Sequence, residues 1–217
     1  MSKKTYQHVF PIIDSLVSEA VNCIESSGAE ISCRKGCSHC CYLAVEISWE
    51  EAVEIARAVE QAPRRRRRRL LRQIEASALQ VKGFLQEKRR NARYAKPYGY
   101  GVELPDRVFD EYFYKQCIAC PILIDNSCGL YNARPVSCRV HMVTSPAEAC
   151  SREHEDEDDY LIPEELDQLK EQTAQYTEAI EHDGRYGLLA VLVYEVLLEW
   201  GYFAKEDCEQ AELRKAS

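Results

Sequence analysis

The sequence predicts a mainly α-helical protein: a single helical domain with two cysteine-rich metal-binding loops inserted between helices. Three observations carry this. Apolar residues recur at helical spacing along much of the chain, strand signals are few, and the cysteines gather in two clusters between the helical stretches. No repeat and no Pro/Gly/Ser linker divides the chain. We read residues 1–217 as one domain, with the cysteine region at about 30–150 and a C-terminal helical part at about 160–217.

Ile12, Ile13, Leu16, Val17, Ala20, Val21 and Ile24 predict the first helix, which Gly28 can end. Cys23 lies on it, outside the clusters, and reads as a packing or surface residue. A loop containing Gly36 then carries the first cluster, Cys33-Arg-Lys-Gly-Cys37-Ser-His-Cys40-Cys41. The apolar stretch Tyr42 to Ile47 leads into Ser48-Trp49-Glu50-Glu51, a capping box that opens a helix through about Val59. Pro63 suits the first turn of the next helix, which runs into the 90s with Leu70, Leu71, Ile74, Leu79, Val81 and Leu85 as inner positions.

Downstream stand Cys117, Cys120, Cys128 and Cys138, followed by Cys150. From about Pro163 the pattern is helical again through Leu166, Leu169, Tyr176 and Ile180, with a break around Asp183-Gly184. Leu188 to Trp200 is apolar on nearly every side, which marks a central core helix. The final residues, with Cys208, read as a polar helix or frayed tail.

Composition narrows the function classes. Hydrophobic residues make up 46%, enough for an ordinary core, so the cysteines need not replace one. Lys+Arg 28 against Asp+Glu 36 gives a net charge of -8, which disfavours a global nucleic-acid role. Arg64 to Arg69 points all around a helix and reads first as a solvated face, with a phosphate-binding patch as the competing reading. Glu153 to Asp159 reads as a solvated loop and a candidate partner for those arginines. Tyr98-Gly-Tyr-Gly101 lacks the strand–turn–helix context of a dinucleotide site.

The longest apolar run, Gly187 to Leu198, is interrupted by Glu195 and is too short to span a bilayer. Met-Ser-Lys-Lys-Thr-Tyr is not followed by the apolar core of a signal peptide. The expectation is a soluble, cytoplasmic protein with no membrane partner. There, an odd count of eleven clustered cysteines favours metal ligation over disulfides.

Thiolates are soft ligands, and close thiolates repel unless a cation such as zinc or iron holds them. The steps Cys37/Cys40 and Cys117/Cys120 let two sulfurs reach one ion while the turn between them aims N–H groups at the sulfurs. Adjacent Cys40 and Cys41 are harder to place on one tetrahedral ion. Either one does not ligate, or the two serve different metals. His39, His141 and Cys150 stand close enough in sequence to be further candidates.

Cys37-Ser-His-Cys40-Cys41, with Cys33 before it, resembles the cysteine-cluster family named for its CxxCxxCC motif (the YkgJ-like proteins). The resemblance continues through Cys117-Ile-Ala-Cys120-Pro121, Cys128-Gly-Leu-Tyr131 and Arg134-Pro135-Val-Ser-Cys138-Arg139. It implies a zinc- or iron-chelating domain of a bacterial cytoplasmic protein. Carried over by position, the ligands are Cys33, Cys37, Cys40, Cys41, Cys117, Cys120, Cys128 and Cys138. The same resemblance has Pro135 fix the turn that presents Cys138, with Arg134 and Arg139 either offsetting its charge or making structural ion pairs. The first interval here is Cys33-x3-Cys37 where the family has Cys-x2-Cys. A similar domain occurs in flagellin lysine methylases, where an iron–sulfur cluster is expected.

Two function classes lead. The first is a metal-binding protein holding zinc or an iron–sulfur cluster, its partner a metal ion. The alternative is an enzyme using such a cluster in redox or methylation-type group transfer. Cys33-x3-Cys37-x2-Cys40 also matches radical-SAM spacing, but the chain lacks the strands and the Gly-rich segment of that barrel. A metalloprotein that binds nucleic acid through Arg64–Arg69 is a third class, and no catalytic constellation can be assigned.

Overall fold

Helices dominate the computed structural model, which describes residues 5–90, 112–113, 115–150, 163–178, 180 and 184–204. The expectations placed on Tyr98–Gly101, Glu153–Asp159, Asp183 and Cys208 lie outside these residues. Among the described residues six α-helices accompany three 3-10 turns and two two-stranded sheets. The chain is mainly α, as its pattern predicts.

Helix α1 spans Tyr6–Ser26. It ends in a Schellman arrangement, with Gly28 at φ +92, its N–H on the Glu25 carbonyl and the Ala29 N–H on the Ile24 carbonyl. Tyr6, Val9, Phe10, Ile13 and Ile24 are buried, whereas Ile12, grouped with the inner residues by spacing, is 40% exposed. Helix α2 spans Trp49–Gln61 and opens with the capping box read from sequence: Ser48 Oγ accepts from Glu51 N, and Glu51 Oε2 accepts from Ser48 N.

Helix α3 spans Arg64–Arg90, so Pro63 precedes the helix, where its carbonyl accepts the Arg67 N–H. Its Leu70, Ile74, Val81 and Leu85 face inward. Arg69 pairs with Asp125 at 2.9 Å and Arg67 donates to the Glu60 carbonyl, while Arg64, Arg65 and Arg68 stay exposed. Helix α4 is the short Val136–Val140, and α5 spans Glu164–Glu178. Ile180 is buried but lies beyond the end of α5, and Tyr176 on α5 is exposed.

Helix α6, Leu189–Glu199, is the central helix that its all-round apolar sequence predicts. It packs on both α2 and α3, and every residue from Leu189 to Tyr194 is buried. It starts one residue later than expected because Leu188 ends a strand. That strand, β4 (Tyr186–Leu188), pairs antiparallel with β1 (Glu46–Ser48), joining the starts of α2 and α6: Trp49 N donates to the Arg185 carbonyl and Leu189 N to the Val45 carbonyl.

Among the described residues three apolar clusters result, one of them a smaller group around Val81, Phe84, Ile118 and Val191. Of the other two, one unites α2, α3 and α6 around Ile55, Val59, Ile74, Leu192 and Val196. The other joins α1, α4 and α5 around Phe10, Ile13, Val140, Leu166 and Leu169. The cysteine loops run between these two clusters.

Candidate metal centre

The first cysteine loop is held by backbone bonds at both ends. Ser32 N donates to the Val143 carbonyl at 3.0 Å, and Cys37 N donates to Arg34 O across a turn in which Gly36 sits at φ +100. Residues His39–Tyr42 then form a 3-10 turn that carries Cys40 and Cys41 and packs against a second 3-10 turn, Ala147–Cys150. Cys150 is thereby buried next to the first cluster.

The second cluster comes to the first through one main-chain bond: Cys120 N donates to the Cys41 carbonyl at 2.7 Å. Beyond it, strands β2 (Leu123–Ile124) and β3 (Ser127–Cys128) form a hairpin that pairs Leu123 with Cys128. Its two loop residues, Asp125 and Asn126, both have positive φ (51° and 57°), as a type I′ turn requires, and Asp and Asn tolerate that region.

Gly129 closes the hairpin by donating to the Ile122 carbonyl at 2.8 Å. A Cβ at Gly129 would stand 2.8 Å from Ile124 Cδ1 and 3.0 Å from that same carbonyl. Gly129→Ala is therefore expected to lower stability by about 1–3 kcal/mol through overpacking. It should also speed labelling of Cys128 by a thiol reagent. Unchanged melting together with unchanged labelling would show that the hairpin has room to spare.

Cys138 rides on α4, whose first N–H, at Val136, donates to Glu51 Oε1 at 2.9 Å. Glu51 thus caps two helices at once, its own α2 and the α4 that carries a cysteine. Pro135 precedes α4 at φ -57, in keeping with its expected role in the turn.

The two arginines flanking Cys138 divide the roles proposed for them. Arg139 is buried and structural: it pairs with Asp14, donates to the Arg134 and Asn132 carbonyls, and stacks 4.1 Å over the Phe10 ring. Arg134 lies 4.1 Å over Tyr131, with its buried Nε lacking any hydrogen-bond partner. The Arg134 charge acts on Cys33, Cys40 and Cys128.

None of the ten described cysteines is in a disulfide. Seven of the eight expected ligands form a mutually interacting set with Cys150. Cys33 and Cys150 feel Cys37 and Cys40; Cys41 feels Cys120 and Cys138; Cys120, Cys128 and Cys138 interact with one another and with Cys40. Cys117, the remaining expected ligand, is exposed at φ +51, and Cys23 is exposed on α1. His39 is half-buried in the first 3-10 turn, and burial lowers the His141 pKa.

Burial pushes the Cys120 and Cys150 thiols up to about 12 and also raises Cys33, Cys128 and Cys138. Cys40 and Cys41 share a side-chain hydrogen bond. It favours a thiolate on Cys40, bringing that group down to about 7, and keeps the proton on Cys41, whose pKa is raised.

Among the described residues no three His, Cys, Asp or Glu side chains already stand where they could hold one metal ion. The donor set nevertheless suits a soft cation: half-buried sulfurs from both clusters, with a guanidinium donor beside them that lacks an acceptor. Binding would deprotonate the thiols and turn them inward, giving Arg134 Nε an anionic neighbour.

An open cleft of about 900 Å³ adjoins the cysteine region, with Asp14, Lys35, Glu54, Arg57, Cys128 and Tyr131 on its walls. No family model matches the chain, and neither a curated protein nor a solved structure matches it.

Sequence reasoning missed four contributors: Glu51 as a cap for α4, Gly129, the Asp125–Asn126 turn, and the open position of Arg134 Nε. Asp-Asn followed by Ser-Cys-Gly between short apolar stretches was a readable hairpin signal. Glu51 gave no such signal, because its second partner lies far away in sequence.

Proposed function

We propose that this chain is a metal-binding protein of the CxxCxxCC type, holding zinc or an iron–sulfur cluster through its cysteines in a reducing, cytoplasmic setting. One observation carries the reading: thiols from two sequence-distant loops lie within charge range of one another, beside a buried arginine donor with no acceptor. Packing alone gives no reason to gather thiols from two distant loops beside an arginine donor, whereas a shared cation does. Consistent with the setting, no described helix is long and apolar enough to cross a membrane. Bound zinc would stabilise the loops, and an iron–sulfur cluster would add one-electron chemistry.

The test is metal and acid-labile sulfide analysis of protein purified without oxygen, together with a visible spectrum. Brown protein with iron and sulfide identifies a cluster, and colourless protein with stoichiometric zinc identifies a zinc centre. Protein with neither metal, or with disulfides in place of thiols, refutes the reading.

The open cleft beside Cys128 favours a second reading, an enzyme that uses the cluster in redox or group transfer. On this reading Lys35, Arg57, Asp14 and Glu54 supply charged groups that bind and orient a substrate. A Lys35→Ala, Arg57→Ala double variant would then keep its metal and lose turnover. Equal turnover in the double variant and the parent protein would dismiss the cleft as a substrate site.

A further inference from the structure

Of the six arginines that open α3, two are tied to the protein: Arg67 donates to the Glu60 carbonyl, and Arg69 pairs with Asp125 on the cysteine hairpin. Arg66 lines the cleft beside Cys128. Arg64, Arg65 and Arg68 remain, joined by Arg72 one turn further along, and all four are exposed. Among the described residues none of these four side chains makes an ion pair or a hydrogen bond.

The four form a stripe. At 3.6 residues per turn they fall within about 100° of one another around the helix, away from the buried Leu70, Ile74 and Val81, and they run about 12 Å along its axis. With Leu71 they line an open groove of about 640 Å³. Glu75, three residues beyond Arg72, ends the run.

Helix stability gives no reason for this arrangement. Arg64 with Arg68, and Arg68 with Arg72, are like charges at i, i+4, which destabilise a helix. Cations are also unfavourable at the positive end of a helix dipole, and the first turn of α3 holds no acidic residue to offset them. Bound anions would relieve both effects.

The geometry narrows the partner. One nucleic-acid strand carries a phosphate every 3.4 Å or so, and 12 Å of it therefore presents about three to four charges to the four guanidiniums. Guanidiniums grip phosphate oxygens with two parallel bonds. An acidic protein would need an apolar centre to anchor it, and Leu71 alone among the described lining residues is apolar. No aromatic ring stands among them for bases to stack on, which leaves the backbone as the part recognised.

Independently of the metal reading, we propose that the Arg64, Arg65, Arg68 and Arg72 face of α3 binds the phosphate backbone of a single-stranded nucleic acid without reading its sequence. The chain's net charge of -8 repels such a strand elsewhere and restricts it to this face.

Fluorescence anisotropy of a labelled single-stranded DNA of mixed sequence, titrated with the full-length protein at rising salt, tests this. Four phosphate contacts predict a slope of about -2.8 in log affinity against log salt. Combining Arg64→Gln, Arg65→Gln, Arg68→Gln and Arg72→Gln should weaken binding roughly tenfold or more at low salt and bring the slope near zero, whereas Arg66→Gln should bind as the parent does. Circular dichroism verifies that the fourfold variant keeps its helices. If it does not, Arg68→Gln alone decides, with a slope shallower by about 0.7.

Absence of salt-dependent binding by the parent protein would overturn the proposal. So would parent-like binding by the folded fourfold variant, or an unchanged slope in Arg68→Gln. Tighter binding of a polyglutamate peptide than of the strand, at equal charge, would overturn it in favour of an acidic protein partner. The metal reading survives each of these outcomes, because none of them touches a cysteine.

Discussion

Stripped of metal under reducing conditions, the protein is expected to keep its α2–α3–α6 core and lose order in its first cysteine loop. That core closes around Ile55, Ile74, Leu192 and Val196 and does not need the thiols to bury its apolar surface. No side chain of residues 30–45 is fully buried, so the order of the first loop should depend on the proposed centre, whereas Ile122 and Leu130 anchor the second loop in the core. Structural zinc in small domains supplies an apparent free energy of about 10–16 kcal/mol at pH 7, which makes this the largest change expected of any perturbation to the chain. Limited proteolysis should show new cleavage within residues 30–45, while helical circular dichroism falls only modestly. Identical proteolytic patterns with and without chelator would mean that the first loop stands unaided.

The metal-free chain should also be sensitive to alkali, and the sign follows from the raised thiols. Cys120 and Cys150 rise from an ordinary 9.0 to about 12 in the folded protein. Above about pH 9 the unfolded chain sheds these protons and the folded one keeps them, so stability is fully present below that pH and declines toward 12. Metal, by taking the thiolates, should flatten this decline. Parallel pH profiles for the loaded and stripped protein would contradict that account.

Arg139→Ala should cost roughly 2–4 kcal/mol, through two lost carbonyl bonds and the cavity left over Phe10. The guanidinium is nearly inaccessible, whereas its Asp14 partner is half in water. The penalty therefore comes mainly from stranding the Asn132 and Arg134 carbonyls, with only a small contribution from the orphaned carboxylate. Because Arg139 anchors the segment carrying Arg134 and Cys138 to α1, the variant should also bind metal more weakly. Denaturant melts of the parent and variant in chelator read the first effect without the second. A loss below about 0.5 kcal/mol would place Arg139 among ordinary surface residues.

The helices were legible because their causes are local. Ser48 and Glu51 lie three residues apart and announce α2, and the unbroken apolar run from Leu189 to Tyr194 announces a helix with neighbours on all sides. Strand β4 was not legible: three residues cannot show alternation, and Tyr186–Leu188 is a strand only because Glu46–Ser48 lies beside it. The cysteines were legible as chemistry and less so as geometry. Spacing ranks Cys117 with Cys120 and leaves Cys150 an open candidate, yet the packing of two 3-10 turns brings Cys150 in and leaves Cys117 at the surface. Arg134 and Arg139 look equivalent beside Cys138, and only burial separates a structural cation from one with an open donor.

The bond from Cys120 N to the Cys41 carbonyl has a further consequence during synthesis. A ribosome adding about 5–20 residues per second releases Cys33–Cys41 roughly 4–20 seconds before Cys120 and Cys138 exist to join them. For that interval the first four thiols are nascent, unpartnered and open to oxidants or to the wrong metal. Maturation of this protein is therefore a race between translation and thiol chemistry, and the yield of correctly filled chains should rise in cells that translate faster or keep their thiol pool more reduced.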